Sequence, residues 1–499
     1  MRPNDGCYWT QAAPPPMGRS LQGEIEADVA IVGCGIVGAV AARLLTDRGR
    51  RVVVLDSGRV GRGVTGRSTA KVTAQHGLTL SRTEDRHGSE AARLYAAANR
   101  EGVALIGELA RRHRLACDLE PADSVVYATT AAGRDKLEKE QASAARAGLA
   151  MDLVDEAGLP FATTGALRLA AQAQFQPVAF VEGLAASLPE GSVFEESCAI
   201  EWSEDEVRTE RGRVRAGRVI MATHLPLGQV GHFHAHTHPR MHAIMAVPVE
   251  AARAPAGMFI GADEPRRSLR RHRDAEGRTF LILTGPRFEH VDGDAEMRGF
   301  AALEAFAREH FGYAGGGWRW SNEDYAPRDG LPYVGWAGAE QDSLLVATGF
   351  DAWGLSNGAF AGRLLADLVE GRPNEFAELF DASRHSLKGL GRLVADTGKT
   401  VANLVGRHAK KHPDMLLPLA DGDAAMVEIA GRVCGVHRDG SGALHVVSAV
   451  CTHMGCLLGW NPVDRTWDCP CHGSRFGVRG QVLHGPAVEP LEQVVGIGE

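Results

Sequence analysis

The sequence predicts a chain of at least two domains: an α/β nucleotide-binding domain near the N-terminus and a separate metal-binding module at the C-terminal end. Three observations predict this. At 499 residues the chain is longer than one hydrophobic core usually serves. Residues Asp28 to Asp56 read strand, glycine-rich turn, helix, strand, acid. Between Cys451 and Ser474 stand two Cys-x-His/Cys-x-x-His pairings with the make-up of one ligand set.

In the first of these segments, DVAIVGCGIVGAVAARLLTDRGRRVVVLD, Val29 to Val32 form an apolar run suited to a buried strand. Gly33, Gly35 and Gly38 complete G-x-G-x-x-G, and Val40, Leu44 and Leu45 continue at helical spacing. A second strand, Val52 to Leu55, ends in Asp56 and is followed by Ser57. The glycines permit a tight turn and let backbone N–H groups, with Ile36 and Val37 the expected donors, approach a pyrophosphate at the helix N-terminus. Asp56 is placed to accept from an adenosine ribose. A lone glycine motif would be weak evidence, but the full strand–helix–strand–acid setting is strong.

At the other end, CTHMGC (Cys451–Cys456) and CPCHGS (Cys469–Ser474) supply Cys451, His453, Cys469 and His472. Two thiolates on one iron and two imidazoles on the other make a Rieske [2Fe–2S] centre, a one-electron carrier. Zinc also binds Cys and His. It would account for the four ligands but not for Cys456, Cys471 or the Gly-Ser after His472.

Bulk properties exclude several classes. A formal charge of −8 argues against a nucleic-acid surface. No apolar stretch reaches the roughly 18 residues of a membrane span, and MRPNDGCYWTQAAPPPM lacks a signal-peptide core. Cys7, Cys34, Cys117 and Cys198 lie far from the cluster motif and suggest reduced thiols in a cytoplasmic protein.

Four further segments carry a resemblance. GRGVTGRSTAKVTAQHG (Gly61–Gly77), RVIMATH (Arg218–His224), YAPRDGLPYVG (Tyr325–Gly335) and ATGFDAWGLSNG (Ala347–Gly358) follow the fingerprint in order. Together they resemble the FAD enzymes of the glycine/D-amino-acid oxidase superfamily. The resemblance implies noncovalent FAD, because WRWSNEDY (Trp318–Tyr325) has no cysteine for attachment. It implies roles for Ser68, Thr69 and Lys71 beside the flavin, for Thr223 in the returning turn, and for Gly354, Leu355 and Ser356. These last three open a helix whose positive end would face the flavin pyrimidine. The C-terminal segment resembles Rieske domains of the cytochrome bc1 and b6f type. That likeness implies a Cys456–Cys471 disulfide, a Ser474 hydroxyl donating to a bridging sulfide, and a covering loop at Gly485-Pro486. Phe476 stands where that family often has a tyrosine donor, so the potential should lie below the top of the range of about −150 to +300 mV. Electrons are expected to leave through His453 and His472, since the histidine-ligated iron lies nearer solvent in such domains.

The implied fold class is an α/β FAD-binding Rossmann-like domain with an α+β substrate domain, plus a small all-β C-terminal Rieske domain. The boundaries read as an N-terminal extension (1–26), an oxidoreductase domain (27–380), a basic linker helix (381–413) and the Rieske domain (414–499). Within 27–380, the FAD-binding parts are about 27–85, 190–230 and 320–380, and the substrate domain about 86–189 and 231–319. A long helix is expected over Glu90–Arg111, with strands around Ala243–Val249, Met258–Ile260 and Thr279–Leu283.

Catalytic residues are the least legible. Tyr325 and Arg267 are weak candidates, with Arg240 and Arg270 as other arginines able to meet a substrate carboxylate or simply to face solvent. His232, His234, His236 and His238 alternate, with His242 nearby. On a strand, the four would share one face, as in a metal site, but no carboxylate or cysteine lies in the run to complete one, and a wet surface is the better account. The sequence thus reads as an FAD-dependent dehydrogenase of an amine or amino-acid-like substrate, passing electrons through a [2Fe–2S] Rieske cluster to an external one-electron acceptor. Two alternatives stand beside it: an O₂-using oxidase with a structural or sensory cluster, and an NAD(P)H-linked flavin–Rieske adaptor.

Overall fold

The computed structural model describes residues 4–11, 16–289, 293–338, 343–385 and 419–494. The expected linker helix falls almost wholly on 386–418, outside the described residues. Its first residues, Ala382–His385, form a short 3-10 turn.

Two large sheets build the N-terminal portion. The first has five parallel strands in the order Leu344–Thr348, Gly212–Met221, Gly23–Val32, Val52–Leu55, Val193–Phe194. Its central strands are continuous Val/Ile/Leu runs, as both faces are covered. Helix Ile36–Asp47 and helix Gly354–Val369 pack together on one face. Close contact is possible because Gly358 and Gly362 lie against Ile36, Val37 and Val40.

The second sheet has the order Asn4–Asp5, Trp318–Pro327, Thr237–Pro248, Thr279–Phe288, Ser268–Arg273, Met258–Gly261, Glu120–Ala128, Gly165–Gln174, Lys71–Val72. Its pairing is mostly antiparallel, and the long helix Ser89–Arg112 packs against helix Gly354–Val369. This sheet takes in Trp318–Pro327 and Lys71–Val72, which the sequence boundaries allotted largely to the FAD-binding parts. Both strands leave the nucleotide turns and satisfy their backbone groups on the second sheet, so the boundary between the two layers runs through the cavity rather than between sequence blocks.

The C-terminal module is all-β. A three-stranded sheet (Ala424–Ile429, Arg432–Arg438, Leu444–Ser448) meets a four-stranded one (Gly459–Asn461, Thr466–Asp468, Arg475–Phe476, Val482–His484). Trp467, fully buried, fills the space beside Gly435, where a Cβ would come within 2.7 Å of the indole. No helix among the described residues is long and apolar enough to cross a membrane.

Candidate two-centre redox site

Every residue expected to hold the dinucleotide except Gly38 lines one cavity of about 670 Å³. Gly38 serves its helix instead: a Cβ there would lie 2.0 Å from the Gly33 carbonyl oxygen. Gly33 has φ +97°, and a Cβ would meet the Ala222 carbonyl at 2.5 Å, so both conformation and space demand glycine. The Asp56 carboxylate accepts from Cys34 N–H (2.8 Å) and Gly58 N–H (2.9 Å), which fixes it at the cavity wall with acceptor capacity to spare. Ile36 departs from expectation, since its N–H donates to Thr65 Oγ1 at 3.1 Å.

On the far wall, Lys71 Nζ donates to Ser268 Oγ (2.9 Å) and Thr69 Oγ1 (3.3 Å). Burial, aided by the Arg270 cation, pushes the lysine down to about 7. Helix Gly354–Val369 begins at this cavity, and its Ser356 hydroxyl meets His76 Nε2 at 2.9 Å. His76 stacks on Trp353 with centroids 4.5 Å apart, and burial drives it down to about 3, so it is neutral. A glycine turn that a side chain would fill, an anchored acid and a helix N-terminus facing one void fit a dinucleotide.

Tyr325 and Arg267 do not line this cavity. Tyr325 is fully buried, and its hydroxyl donates to the His472 carbonyl at 2.8 Å, which makes it an inter-domain residue. Arg267 lies over the Phe306 ring at 4.9 Å. Strand parity explains the miss: Arg266 and Ser268 share the cavity face, and Arg267 between them takes the other. Arg240 pairs with Glu289 at the surface, and Arg270 is wholly buried. The cavity cations that sequence reading missed are Arg82, Arg266 and Arg287. Arg287 pairs with Asp351 at 2.7 Å. Burial lowers the Arg266 pKa; Glu264 opposes this, while Arg82 and Arg287 add to it. Asp351 also opposes the lowering, and the Arg266 Nε is buried without a hydrogen-bond partner, a donor open to an acceptor in the cavity.

In the C-terminal module the Cys451 and Cys469 thiols face each other, and the His453 and His472 rings lie 5.1 Å apart at 86°. Nδ1 of each imidazole is buried and without a partner. Two orphaned nitrogens opposite two thiols fit an iron–sulfur centre. Burial holds His472 down at about 3, the neutral form that binds metal. Cys456 and Cys471 are joined in a disulfide. The sulfurs of Cys456, Cys469 and Cys471 cluster within 4.8 Å, but disulfide sulfurs are spent as thiolate ligands, so this is packing against Cys469. Ser474 reaches toward Cys451 and accepts from Ala487 N–H at 3.0 Å. Phe476 is fully buried.

The expectation that the ligand histidines open to solvent is overturned. His453 Nε2–H donates to the Gly228 carbonyl at 3.1 Å, and Gly228 N–H donates to the Pro486 carbonyl at 2.9 Å. A Cβ on Gly473 would come within 1.8 Å of Glu323 Oε1 and 2.4 Å of the Tyr325 hydroxyl. Residues Val482, Leu483, His484, Gly485, Ala487 and Val488 themselves line the dinucleotide cavity. The two histidines that would hold the cluster therefore face the nucleotide domain. The four alternating histidines also share no strand face: His232 and His234 lie in the turn Val230–Ala235, and His238 in the strand Thr237–Pro248. Gly231 and His232, both left-handed, break the period. Among the described residues no group of three or more side chains placed to share a metal contains a histidine.

Fold and site define a two-centre redox protein, with a dinucleotide domain and an iron–sulfur domain docked on its cavity. Residues 28–368 match the FAD dependent oxidoreductase (DAO) family, and residues 415–495 match the Rieske [2Fe-2S] domain. YhfW of Bacillus subtilis (strain 168), named as a Rieske 2Fe-2S iron-sulfur protein, is 32% identical over 98% of this chain and 97% of its own. Glycine oxidase from Geobacillus kaustophilus superposes with a TM-score of 0.58 at 22% identity, covering 72% of this chain and 99% of the oxidase. L-proline dehydrogenase from P. horikoshii gives 0.57 at 16% identity, covering 73% and 99%. These last two share the fold. The chain belongs to the DAO family of FAD-dependent oxidoreductases and carries a C-terminal Rieske domain; FAD and a [2Fe–2S] cluster are its cofactors.

Proposed function

We propose that the protein is an FAD-dependent dehydrogenase that oxidises an amine or amino-acid-like substrate and passes electrons singly, through the Rieske cluster, to an external one-electron acceptor. Bound FAD would supply hydride acceptance from a carbon next to nitrogen, and the bound cluster would supply one-electron transfer. The observation that carries the reading is the shared wall, in which Val482 to Val488 of the cluster module close the cavity built by Gly33, Asp56 and Gly354. A merely structural cluster needs no such wall. The names of the glycine oxidase and L-proline dehydrogenase that share the fold favour a bond next to nitrogen.

In this reading Gly33, Gly35, Ile36, Val37 and Gly38 shape the pyrophosphate turn, and Asp56 and Ser57 face the ribose. Ser68, Thr69, Lys71, Thr223 and the helix start Gly354–Ser356 border the remaining length of the cavity. Cys451, His453, Cys469 and His472 are the iron ligands. Arg266, crowded by Arg82 and Arg287, holds the anionic end of the substrate. Arg266→Gln is expected to raise the amino-acid concentration needed for half-maximal flavin bleaching by about 10- to 100-fold, the worth of one charge-assisted hydrogen bond. Cys7, Cys34 and Cys117 are buried free thiols and fit the cytoplasm.

The test is anaerobic addition of amines and amino acids while flavin absorbance and the cluster's EPR signal are followed together. Flavin bleaching with parallel appearance of the reduced-cluster signal is expected. A His453→Ala variant should still bleach but deliver electrons poorly to a one-electron acceptor. Equal delivery by both proteins, or peroxide as the parent's main product, refutes the relay.

A further inference from the structure

The alternating histidines are the one sequence feature that neither centre absorbs. In the fold, His234 of that run packs against both histidines expected to hold the cluster. Its ring centroid lies 5.2 Å from that of His453, at 83°, and 4.9 Å from that of His472, at 71°. A third imidazole thus stands edge-on to two ligand rings that are themselves 5.1 Å apart at 86°.

The local chain is shaped to put it there. Gly231 and His232 take successive left-handed conformations, φ 55° and 52°, a costly choice for a residue with a side chain. Phe233, fully buried against Tyr333 at 5.5 Å, then anchors the turn in the core. Thr237 closes it by donating its hydroxyl to the Phe233 carbonyl at 2.9 Å. His232 remains exposed, so the turn selects one histidine for the cluster. Backbone strain kept by its surroundings is a pointer toward function.

Ligand imidazoles of metal centres are oriented by the groups around them, and those groups tune the centre. For His453 one such group is the Gly228 carbonyl. His234 touches both ligands at once and lies on the side facing the nucleotide domain. We propose that His234 is a positioning residue for the cluster: it sets the planes of the two ligand imidazoles and closes the histidine-ligated iron against soluble reagents. The closure has a use only if electrons reach the cluster from the flavin, as proposed above; the placement of the rings does not depend on that reading.

The experiment uses the full chain with both cofactors, reduced by dithionite without any amine. Each reduced cluster then gives one electron to one hexacyanoferrate(III), and freeze-quench EPR follows the cluster alone. His234→Ala is expected to shift the g-values and to speed cluster oxidation by about tenfold or more, with iron, sulfide and FAD contents unchanged, because solvent exposure and ligand surroundings are both levers on such a centre. His234→Phe, which keeps a ring in the same place, should retain the parent's g-values and rate. Parent-like g-values and rate in His234→Ala overturn the proposal. If that variant fails to hold its cluster, His234→Phe decides: parent-like behaviour supports positioning by the ring, and faster oxidation refutes it. Should an amine never reduce the parent's cluster, the electron route fails while the His234 result stands on its own.

Discussion

Asp464→Ala is expected to destabilise the protein by about 3–5 kcal/mol and to loosen the Rieske module from the FAD domain, the cost typical of leaving a buried charge unpaired. Asp464 is almost buried, and both its carboxylate oxygens accept from Arg67 Nη2 at 2.7 Å. Arg475 Nη2 donates to it from the other side at 2.8 Å. Arg67 ends the turn that leads into Ser68 and Thr69 at the cavity, and it also holds the Ser321 carbonyl. Arg475 follows Ser474 of the cluster loop and is tied to Asp468 at 3.0 Å. One carboxylate therefore links the FAD loop to the cluster loop. Without it, two guanidiniums face each other in a poorly solvated space. Urea unfolding should show the loss, and substrate should still bleach the flavin while the cluster's EPR signal lags. Arg240→Ala, whose partner Glu289 is exposed, should cost under about 1 kcal/mol.

The same carboxylate sets a pH window. Burial alone would raise its pKa, but Arg67 and Arg475 more than reverse this and hold it at about 2. A depressed folded value means the stabilisation, about 2 kcal/mol, is complete above the ordinary aspartate value near 4. It is lost as pH falls from about 4 through about 2. Because the network is shielded from water, added salt should not reproduce the variant.

What the sequence made legible is what adjacent residues encode. The turn at Gly33 to Gly38 with Asp56 at the next strand end, and the Cys-x-His and Cys-x-x-His pairs, are local patterns that tertiary context only positions. The contact between the two centres is a different kind of information. Arg67 and Asp464 are 397 residues apart, and Tyr325 and His472 are 147 apart. Local sequence therefore suggests Tyr325 as a pocket residue, while the fold makes it a link in the domain interface. Arg267 is the arginine the sequence offers and Arg266 the one that lines the cavity, because two adjacent arginines do not show which parity faces inward. The histidine run failed for a related reason: period two implies one face only on a regular strand, and the left-handed pair Gly231–His232 makes a turn there. Solvent exposure of the ligand histidines is what the resemblance to Rieske domains implies; here the Gly228 carbonyl meets His453, and His472 is buried.

Arg270→Ala is expected to unfold at a lower temperature, at a cost of about 3 kcal/mol, and to be purified with less FAD than the parent. Sequence left Arg270 as a basic surface residue or a substrate ligand, and the fold makes it neither. The side chain is fully buried under Trp9, with its guanidinium carbon 5.0 Å from the ring. Its Nε donates to the Thr69 carbonyl at 2.7 Å, Nη2 to the Phe175 carbonyl at 3.1 Å, and Nη1 to the Arg271 carbonyl at 3.3 Å. Trp9 Nε1–H holds the neighbouring Ser68 carbonyl at 2.8 Å. These bonds pin the loop from Ser68 to Lys71, in which Ala70 takes φ 58°, a conformation alanine avoids when free. Truncation orphans buried carbonyls and opens a cavity, while the guanidinium's own desolvation cost offsets part of the loss. Lys71 would lose a neighbouring cation, so its pKa should rise from about 7. Arg270→Lys should rescue little, because a single ammonium cannot span carbonyls that a planar fork reaches together. Thermal unfolding and the ratio of flavin to protein absorbance measure both effects. An alanine variant that keeps its FAD and melts with the parent would return Arg270 to the solvated arginines.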